Sequence, residues 1–567
     1  MKSNRAMAVM AGGIVLMTAL MTANPSYAQS SVTPRNWHLL NYAQDSVYGT
    51  GVEKAYTELL KGRKSSPILV AVIDSGIDTL HEDLKSVLWI NPKEIPGNGI
   101  DDDKNGYVDD VHGWNFLGGK DGRSVKEDSD EATREYYRIK SLYGNPDSAL
   151  DKQSKEYGYW QKLQGKVSRP SGESKVTYKT MLKLQESLRK CEALITGYLH
   201  QNDFNAAKLD SIQTPDQDVM VAKKFLLRIF ENTGEANLTY SELKSEFDEY
   251  LAELKKKAEQ ADNDAPVDKR ADIIGDNVND INDKYYGNSD VMGQFGFHGT
   301  HVSGIIAAVR NNGIGIDGIN DNVRIMMVKA VPDGDERDKD VALAIRYAVD
   351  NGARVVNMSF GKGFSPHKEW VDAAVKYAEE KGVLLVHAAG NDGSDNDEVD
   401  NFPNPDFADH SPRANNYITV GASGSGKNSK VASFSNYGKK NVDIFAPGVQ
   451  IYSTVPGGNK YGNASGTSMA APVVAGVAAL VLSYHPDLTA QQLKYILMKS
   501  ATPLPDGTTE VAKPGSPDVK VPFAELSISG GLVNAYEALK LADSIDANKD
   551  LKTKKKKKAK MESVKKG

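Results

Sequence analysis

The chain has 567 residues, 40% hydrophobic and 25% charged, with a formal net charge of −6. That length exceeds one ordinary domain, and the composition is that of a folded soluble protein, so two or three units are expected. The negative balance gives no general case for nucleic-acid binding, and a lone cysteine, Cys191, excludes an internal disulfide framework and any CxxC metal site.

The first stretch, MKSNRAMAVMAGGIVLMTALMTANPSYAQS, places Lys2 and Arg5 before an apolar run from Ala6 to Ala23. Small residues in SYA precede Gln29, the pattern of a secretory signal cleaved after Ala28. An uncleaved anchor is the alternative, since about 18 apolar residues can span a bilayer. No second apolar run of spanning length is read. The mature chain is therefore expected to be exported (periplasm, cell surface or medium), without stable membrane insertion.

SPILVAVI, residues 66–73, is a short β-branched run and reads as a buried strand. NGIDDDKNGYVDD, residues 98–110, follows. Asp101, Asp103, Asn105, the Tyr107 carbonyl and Asp109 occupy positions 1, 3, 5, 7 and 9 of a calcium-type loop, with Gly106 at the turn. Position 12 is His112 rather than Glu, so Asp110 or an outside group must close the site. An acidic Asn-Gly turn without a metal is the competing reading.

Residues 120–285 have another texture, rich in Lys, Glu, Gln and Tyr. Met181, Leu184, Leu188, Cys191, Ile195 and Tyr198 recur every three or four positions, as do Tyr240, Leu243, Phe247, Tyr250 and Leu254. These spacings predict amphipathic helices, with a third over 219–230. Cys191 lies on such a stripe and reads as a packed thiol. From about 291 to 480, apolar strand-like runs alternate with helix-like segments ending in Gly, the signature of a parallel sheet with helices on both faces. The tail, 552–567, holds nine lysines and reads as a solvated, disordered end.

Three stretches carry chemistry. VAVIDSGID places Asp74 at the end of the first strand; FHGTHVSG places His298 at a helix start; NASGTSMAAP places Ser468 before a long apolar helix. A serine hydroxyl is a weak nucleophile that needs an adjacent base. Histidine can be that base, and an aspartate can hold its tautomer. His298 and His301 could instead form an i, i+3 metal pair. No HExxH motif occurs and no third ligand motif accompanies them, which leaves His298 as the base and His301 as a packing or hydrogen-bonding residue.

VIDSGID, HGTHVSG and GTSMAAP, in that order, resemble the subtilisin-like serine peptidases. The resemblance covers roughly 36–118 and 285–545. It implies a doubly wound, mostly parallel α/β sheet and a triad of Asp74, His298 and Ser468. VLLVHAAGND makes Asn391 the side-chain oxyanion donor, with the Ser468 N–H as the second. NMSFG resembles the edge strand that pairs with substrate backbone. Ser359, Phe360 and Gly361 would flank the first pocket on one side and Ala388, Ala389 and Gly390 on the other. Asp392 and the acidic loop 332–340 give a weak tilt towards basic or mixed protein or peptide substrates; a solvated acidic surface is the competing reading. The resemblance also implies a second structural calcium site from Asp83, Asn312 and the carbonyls of Val309, Ile314 and Ile316, with Asp45 as a further candidate.

The chain departs from that family in two places. The separation 298 − 74 = 224 positions is far longer than usual, so 120–285 reads as an insertion. A lid, a substrate-docking arm, a partner platform and neutral decoration all fit it. Only 74 − 29 = 45 residues precede Asp74 after the signal, too few for a folding propeptide. The expected order is a signal (1–28), a first peptidase part (29–119), the insertion (120–285), a second peptidase part (286–545) and the tail (546–567). The leading expectation is an exported serine endopeptidase; the alternative is an inactive scaffold of the same fold presenting the helical arm.

Overall fold

The computed structural model describes residues 33–143, 154–233, 239–260, 268–293, 296–426 and 429–545. The expected signal and Lys-rich tail lie outside the described residues. Two compact units form, Ala132–Val267 and Pro34–Glu131 with Asp268 onwards.

The first unit is helical. Its main helices are α1 (Glu131–Tyr143), α2 (Lys155–Leu199), α3 (Gln217–Thr233) and α4 (Tyr240–Gln260). Ser154 starts α2 by accepting the Tyr157 N–H at 3.1 Å. One core gathers Met181, Leu184, Leu188 and Ile195 of α2, Leu226 and Phe230 of α3, and Leu243, Phe247 and Tyr250 of α4. The spacing of three and four therefore turns into one buried stripe per helix. Cys191 is half-buried against this core, and burial pushes its thiol pKa up. Tyr198 leaves the stripe: it is exposed, and its hydroxyl donates to the Gln213 carbonyl at 3.0 Å.

The second unit is a seven-stranded parallel sheet in the order β2-β3-β1-β4-β5-β6-β7. The strands are β1 (Ile68–Asp74), β2 (Gly113–Asn115), β3 (Val323–Lys329), β4 (Val355–Met358), β5 (Leu384–Ala388), β6 (Tyr417–Ser423) and β7 (Ile444–Pro447). Four long helices flank it: α5 (Phe297–Ala307), α6 (Asp338–Asp350), α7 (Lys368–Glu380) and α8 (Thr467–Tyr484). Ala71, Ile73, Val328 and Val356 pack beneath α6 and α7, while α8 lies against β4 to β7. Strands buried on both faces explain the continuous apolar runs. α8 is an 18-residue helix apolar enough to cross a membrane, so a second run of spanning length does exist. It is 94% buried in this unit and serves as its core helix.

The boundaries of the helical unit fall inside the expected 120–285. Residues 120–131 and 268–285 belong with the sheet. The cause is an ionic cluster that reads as surface in the sequence. Arg270, 2% exposed, donates to both Asp340 oxygens at 2.7 and 2.8 Å and to both Asp276 oxygens at 2.8 and 2.9 Å. Lys339 adds a 2.8 Å bond to Asp276, and the Tyr286 hydroxyl one of 2.5 Å to Asp340. Removing one member of such a buried set costs about 3–5 kcal/mol, because the partner charge is left unpaired.

Candidate active site

Asp74 is the last residue of β1, 1% exposed, and His298 lies in the first turn of α5. His298 Nδ1 stands 2.7 and 2.8 Å from the two Asp74 carboxylate oxygens. That contact places the proton on Nδ1 and leaves Nε2 as a lone-pair acceptor. Asp74 is itself fixed by the Ser75 N–H at 2.7 Å. The approach of α5 to β1 needs Gly299, because a Cβ there would meet the Gly76 carbonyl at 2.2 Å. His301 has a separate task. It is fully buried, its Nε2 lies 3.1 Å from the Gly462 carbonyl, and burial pushes its pKa down to about 3. It stays neutral and packs behind the helix.

Ser468 occupies the first turn of α8, 6% exposed. Its Oγ donates to the Ser359 carbonyl at 3.0 Å; among the described residues it forms no hydrogen bond to His298. Pro472, four residues on, has no N–H for the Ser468 carbonyl, and the Ser359 hydroxyl supplies the missing donor at 2.9 Å. Asn391 follows β5. Its Oδ1 accepts the Thr467 N–H at 2.8 Å and the Thr467 hydroxyl at 3.0 Å. This fixes the amide plane, and among the described residues Nδ2 has no hydrogen-bond acceptor. The Ser468 N–H, in the first turn of α8, also lacks an intrahelical acceptor.

The two stretches expected to flank a substrate continue from adjacent strands. β4 is central in the sheet, not an edge strand; only 359–361, beyond its end, leave the ladder. Across from them, 388–390 follow β5, with Gly390 at φ +109°. Two residues unread in the sequence join these walls. His387 Nε2 lies 2.7 Å from the Phe360 carbonyl. Asn401 Nδ2 donates to the Ala388 and Ala389 carbonyls at 3.2 and 2.9 Å, and its Oδ1 lies 2.6 Å from where a Gly361 Cβ would stand. Asp392 is exposed and tied through its own N–H to Asn436, so Asn401 rather than Asp392 lies between the walls. In the acidic loop Asp333 is exposed and Asp335 half-buried. Glu336, Asp338 and Asp340 are all buried, and Lys362 is held by Glu131 and Asp338 at 2.7 and 2.8 Å.

The ligand sets expected for calcium are partly assembled. Asp83 is buried, with Asn312 Nδ2 at 2.6 Å and the Ile316 N–H at 3.4 Å; burial raises its pKa. The Val309 N–H bonds the Asp83 carbonyl, and the Ile314 N–H bonds Asn312 Oδ1. Asp45 stays with its own turn, accepting the Asn41 N–H. In the upstream loop, Asp101 and Asp103 approach each other and Glu94. Asn105 and Asp109 turn elsewhere: Asn105 Nδ2 donates to Asp110, and Asp109 accepts the N–H groups of Gly97, Asn98 and Gly99.

A sequence profile described as the subtilase family (Peptidase S8) matches residues 65–518. The "Thermophilic serine proteinase" of Bacillus sp. (strain AK1) is 46% identical over 187 residues, 33% of this chain and 42% of that protein. Subtilisin DY of Bacillus licheniformis is 40% identical over 212 residues, 37% of this chain and 72% of that protein. The cell wall-associated protease of Bacillus subtilis (strain 168) is 36% identical over 234 residues, 41% of this chain and 24% of that protein. A solved protease from Pseudoalteromonas arctica PAMC 21717 is 30% identical, with a TM-score of 0.35, covering 43% of this chain and 70% of that one. The match of the profile across most of the chain, with β1, α5 and α8 all inside it, decides the assignment: the chain belongs to the subtilase family, the subtilisin-like serine peptidases.

Proposed function

We propose that this protein is an exported serine endopeptidase that cleaves protein or peptide substrates. Ser468 Oγ attacks the scissile carbonyl while His298 Nε2 takes its proton. Asp74 holds the imidazole by Nδ1 and stabilises the imidazolium. The oxyanion is received by Asn391 Nδ2 and the Ser468 N–H. His298 then protonates the leaving amine, and water repeats the sequence to release the acyl group. The observation that carries this reading is the double contact of His298 Nδ1 with Asp74 at 2.7 and 2.8 Å.

Substrate backbone would lie along 359–361 by strand addition, with a side chain entering between the two walls. A structural calcium ion suits the buried Asp83 carboxylate once the Asn312 amide is turned to offer its oxygen. Export rests on the leader composition and on the cell wall-associated relative. The helical unit is read as a docking platform for substrate or partner.

One observation favours the inactive-scaffold reading: the Ser468 hydroxyl is bonded to the Ser359 carbonyl rather than to His298. Catalytic serine–histidine contacts are often unformed in the free enzyme and tighten only with substrate bound. Labelling with a fluorophosphonate probe decides between them. The native chain is expected to label and Ser468→Ala is not; a native chain that stays unlabelled while folded rejects the peptidase reading. Replacing 132–267 by a short linker tests the platform, and unchanged cleavage of folded protein substrates would reject it.

A further inference from the structure

We infer that Asn436 is the positioning residue that aims Asn391 at the oxyanion. The inference rests on the peptidase reading and deepens it. Among the described residues Asn436 hydrogen-bonds neither a member of the triad nor Asn391 itself; it acts through the backbone on both sides of Asn391.

An oxyanion donor is effective only if it is aimed before the charge develops. The Thr467 contacts fix the amide of Asn391 at its oxygen end. They do not fix the backbone that carries it. Asn391 follows β5 and lies in a stretch, 391–400, without helix or strand, so its position depends on what that stretch is tied to.

Asn436, 4% exposed, ties it from both sides. Its N–H donates to the Gly390 carbonyl at 2.9 Å. Its Oδ1 accepts the Asp392 N–H at 2.9 Å and the Ser394 N–H at 3.0 Å. Two N–H donors meeting one atom identify that atom as the amide oxygen. The other end, Nδ2, donates to Asn396 Oδ1 at 3.0 Å, and Asn396 Nδ2 donates to the Ala389 carbonyl at 2.8 Å. Residues 389, 390, 392 and 394 are thus joined through one buried amide, with Asn391 in their midst. Gly390 makes the approach possible, because a Cβ there would stand 2.4 Å from Asn436 Nδ2.

The neighbours of Asn436 reinforce the clamp. The Phe434 carbonyl accepts the Gly393 N–H at 2.8 Å, and the Tyr437 N–H donates to the Ser394 carbonyl at 3.0 Å. A hairpin of Glu510–Lys513 and Ser516–Pro522 closes the outside. At its tip the Gly515 N–H donates to the Ser433 carbonyl at 2.9 Å, and the Gly515 Cα lies 2.7 Å from where a Gly393 Cβ would stand.

The cleft wall is held by other means. The Ala389 N–H donates to the Val420 carbonyl at 2.9 Å, and Asn401 holds the Ala388 and Ala389 carbonyls. Loss of the Asn436 amide therefore falls on 392–394, whose stranded N–H groups must turn to find new partners. A shift there moves Asn391, an interaction made in the transition state, and so lowers kcat more than it raises KM.

The test is steady-state kinetics of the full chain on a chromogenic peptide, with folding checked by circular dichroism. Asn436→Ala is expected to lower kcat by about 10- to 100-fold with KM within about threefold, the scale of a donor misplaced by about 1 Å. On an Asn391→Ala background the same substitution should change kcat by less than about twofold, because the donor it aims is gone. Asn396→Ala, which loosens the same clamp at one end, should lower kcat severalfold and lose that effect on the Asn391→Ala background. A parental kcat in folded Asn436→Ala overturns the inference while leaving the peptidase reading intact. So does an equal fold-loss in both backgrounds, which would make Asn436 a residue of the fold alone. A folded parent without turnover overturns the peptidase reading and this inference with it. Should Asn436→Ala fail to fold, Asn396→Ala decides: a parental kcat there, or a loss that persists without Asn391, overturns the inference equally.

Discussion

Ser359 and Ser468 exchange two hydrogen bonds, each hydroxyl donating to the other's carbonyl, at 2.9 and 3.0 Å. One of the pair is permanent, because Pro472 leaves the Ser468 carbonyl without a helix donor. In the proposed mechanism the other must break for the Ser468 hydroxyl to reach His298. Ser359→Ala should therefore cost about 1–3 kcal/mol of stability, the range for stranding a buried acceptor. It should also lower kcat through a loosened α8 start. A stability measurement by denaturant and a kcat equal to the parent's would refute this role for the hydroxyl.

Asn391 offers Nδ2 because Thr467 occupies its oxygen twice. Asn391→Ala should reduce kcat by about 10²–10³ with KM little changed. That magnitude is borrowed from the equivalent loss in subtilisin rather than obtained from this chain. Thr467→Val removes one of the two bonds and should give a smaller kcat loss in the same direction. Steady-state kinetics on a chromogenic peptide separate the two; a larger effect from Thr467→Val would contradict the order.

Asn401 lies between the two walls of the cleft. Asn401→Gly should widen it and shift preference towards large side chains. The ratio of kcat/KM for phenylalanine over alanine at the cleaved residue should rise about tenfold or more, given about 1–3 kcal/mol for each extra methylene accommodated. A ratio unmoved by the substitution places the selecting residue elsewhere.

Three buried histidines set an acid limit. Burial pushes His38 and His301 down to about 3 and His387 down to about 4. An unfolded histidine titrates near 6.5. As pH falls below that value the unfolded chain takes up protons and the folded chain does not, so stability drops. The loss continues until pH reaches the folded values, at up to about 1.4 kcal/mol per pH unit for each group. Asp110, raised to about 6 by burial, acts in the opposite sense between roughly pH 4 and 6. The informative quantity is therefore the difference between parent and His301→Gln in the Ser468→Ala background. Melting curves from pH 7 to 5 should be flatter for His301→Gln; parallel curves would show that His301 does not contribute.

The placement of Asp74 beside His298 was legible because each lies in a short motif at an element end, where strand and helix patterns meet. The alternation of apolar runs likewise announced the parallel sheet. Other features depend on contacts between distant loops. Asn401, His387 and Thr467 carry no local pattern that marks them, and each matters through a partner 12 to 76 positions away. The compact helical unit is narrower than 120–285 because Arg270, Asp276 and Asp340 join in one buried ionic cluster with the sheet unit, a contact between distant positions that no local pattern marks.

The sheet order has a consequence for synthesis. β1 leaves the ribosome early, yet its two neighbours are β3 and β4, which start at 323 and 355. The gap 323 − 74 = 249 residues takes roughly 12–50 s to translate at about 5–20 residues per second. Throughout that interval the most apolar strand has no pairing partner, while the intervening helices can close on local contacts. Nascent chains stalled near residue 290 should then show protease resistance over 155–260 and cleavage around β1. Protection of β1 in such chains would mean that something other than its sheet neighbours shelters it during that wait.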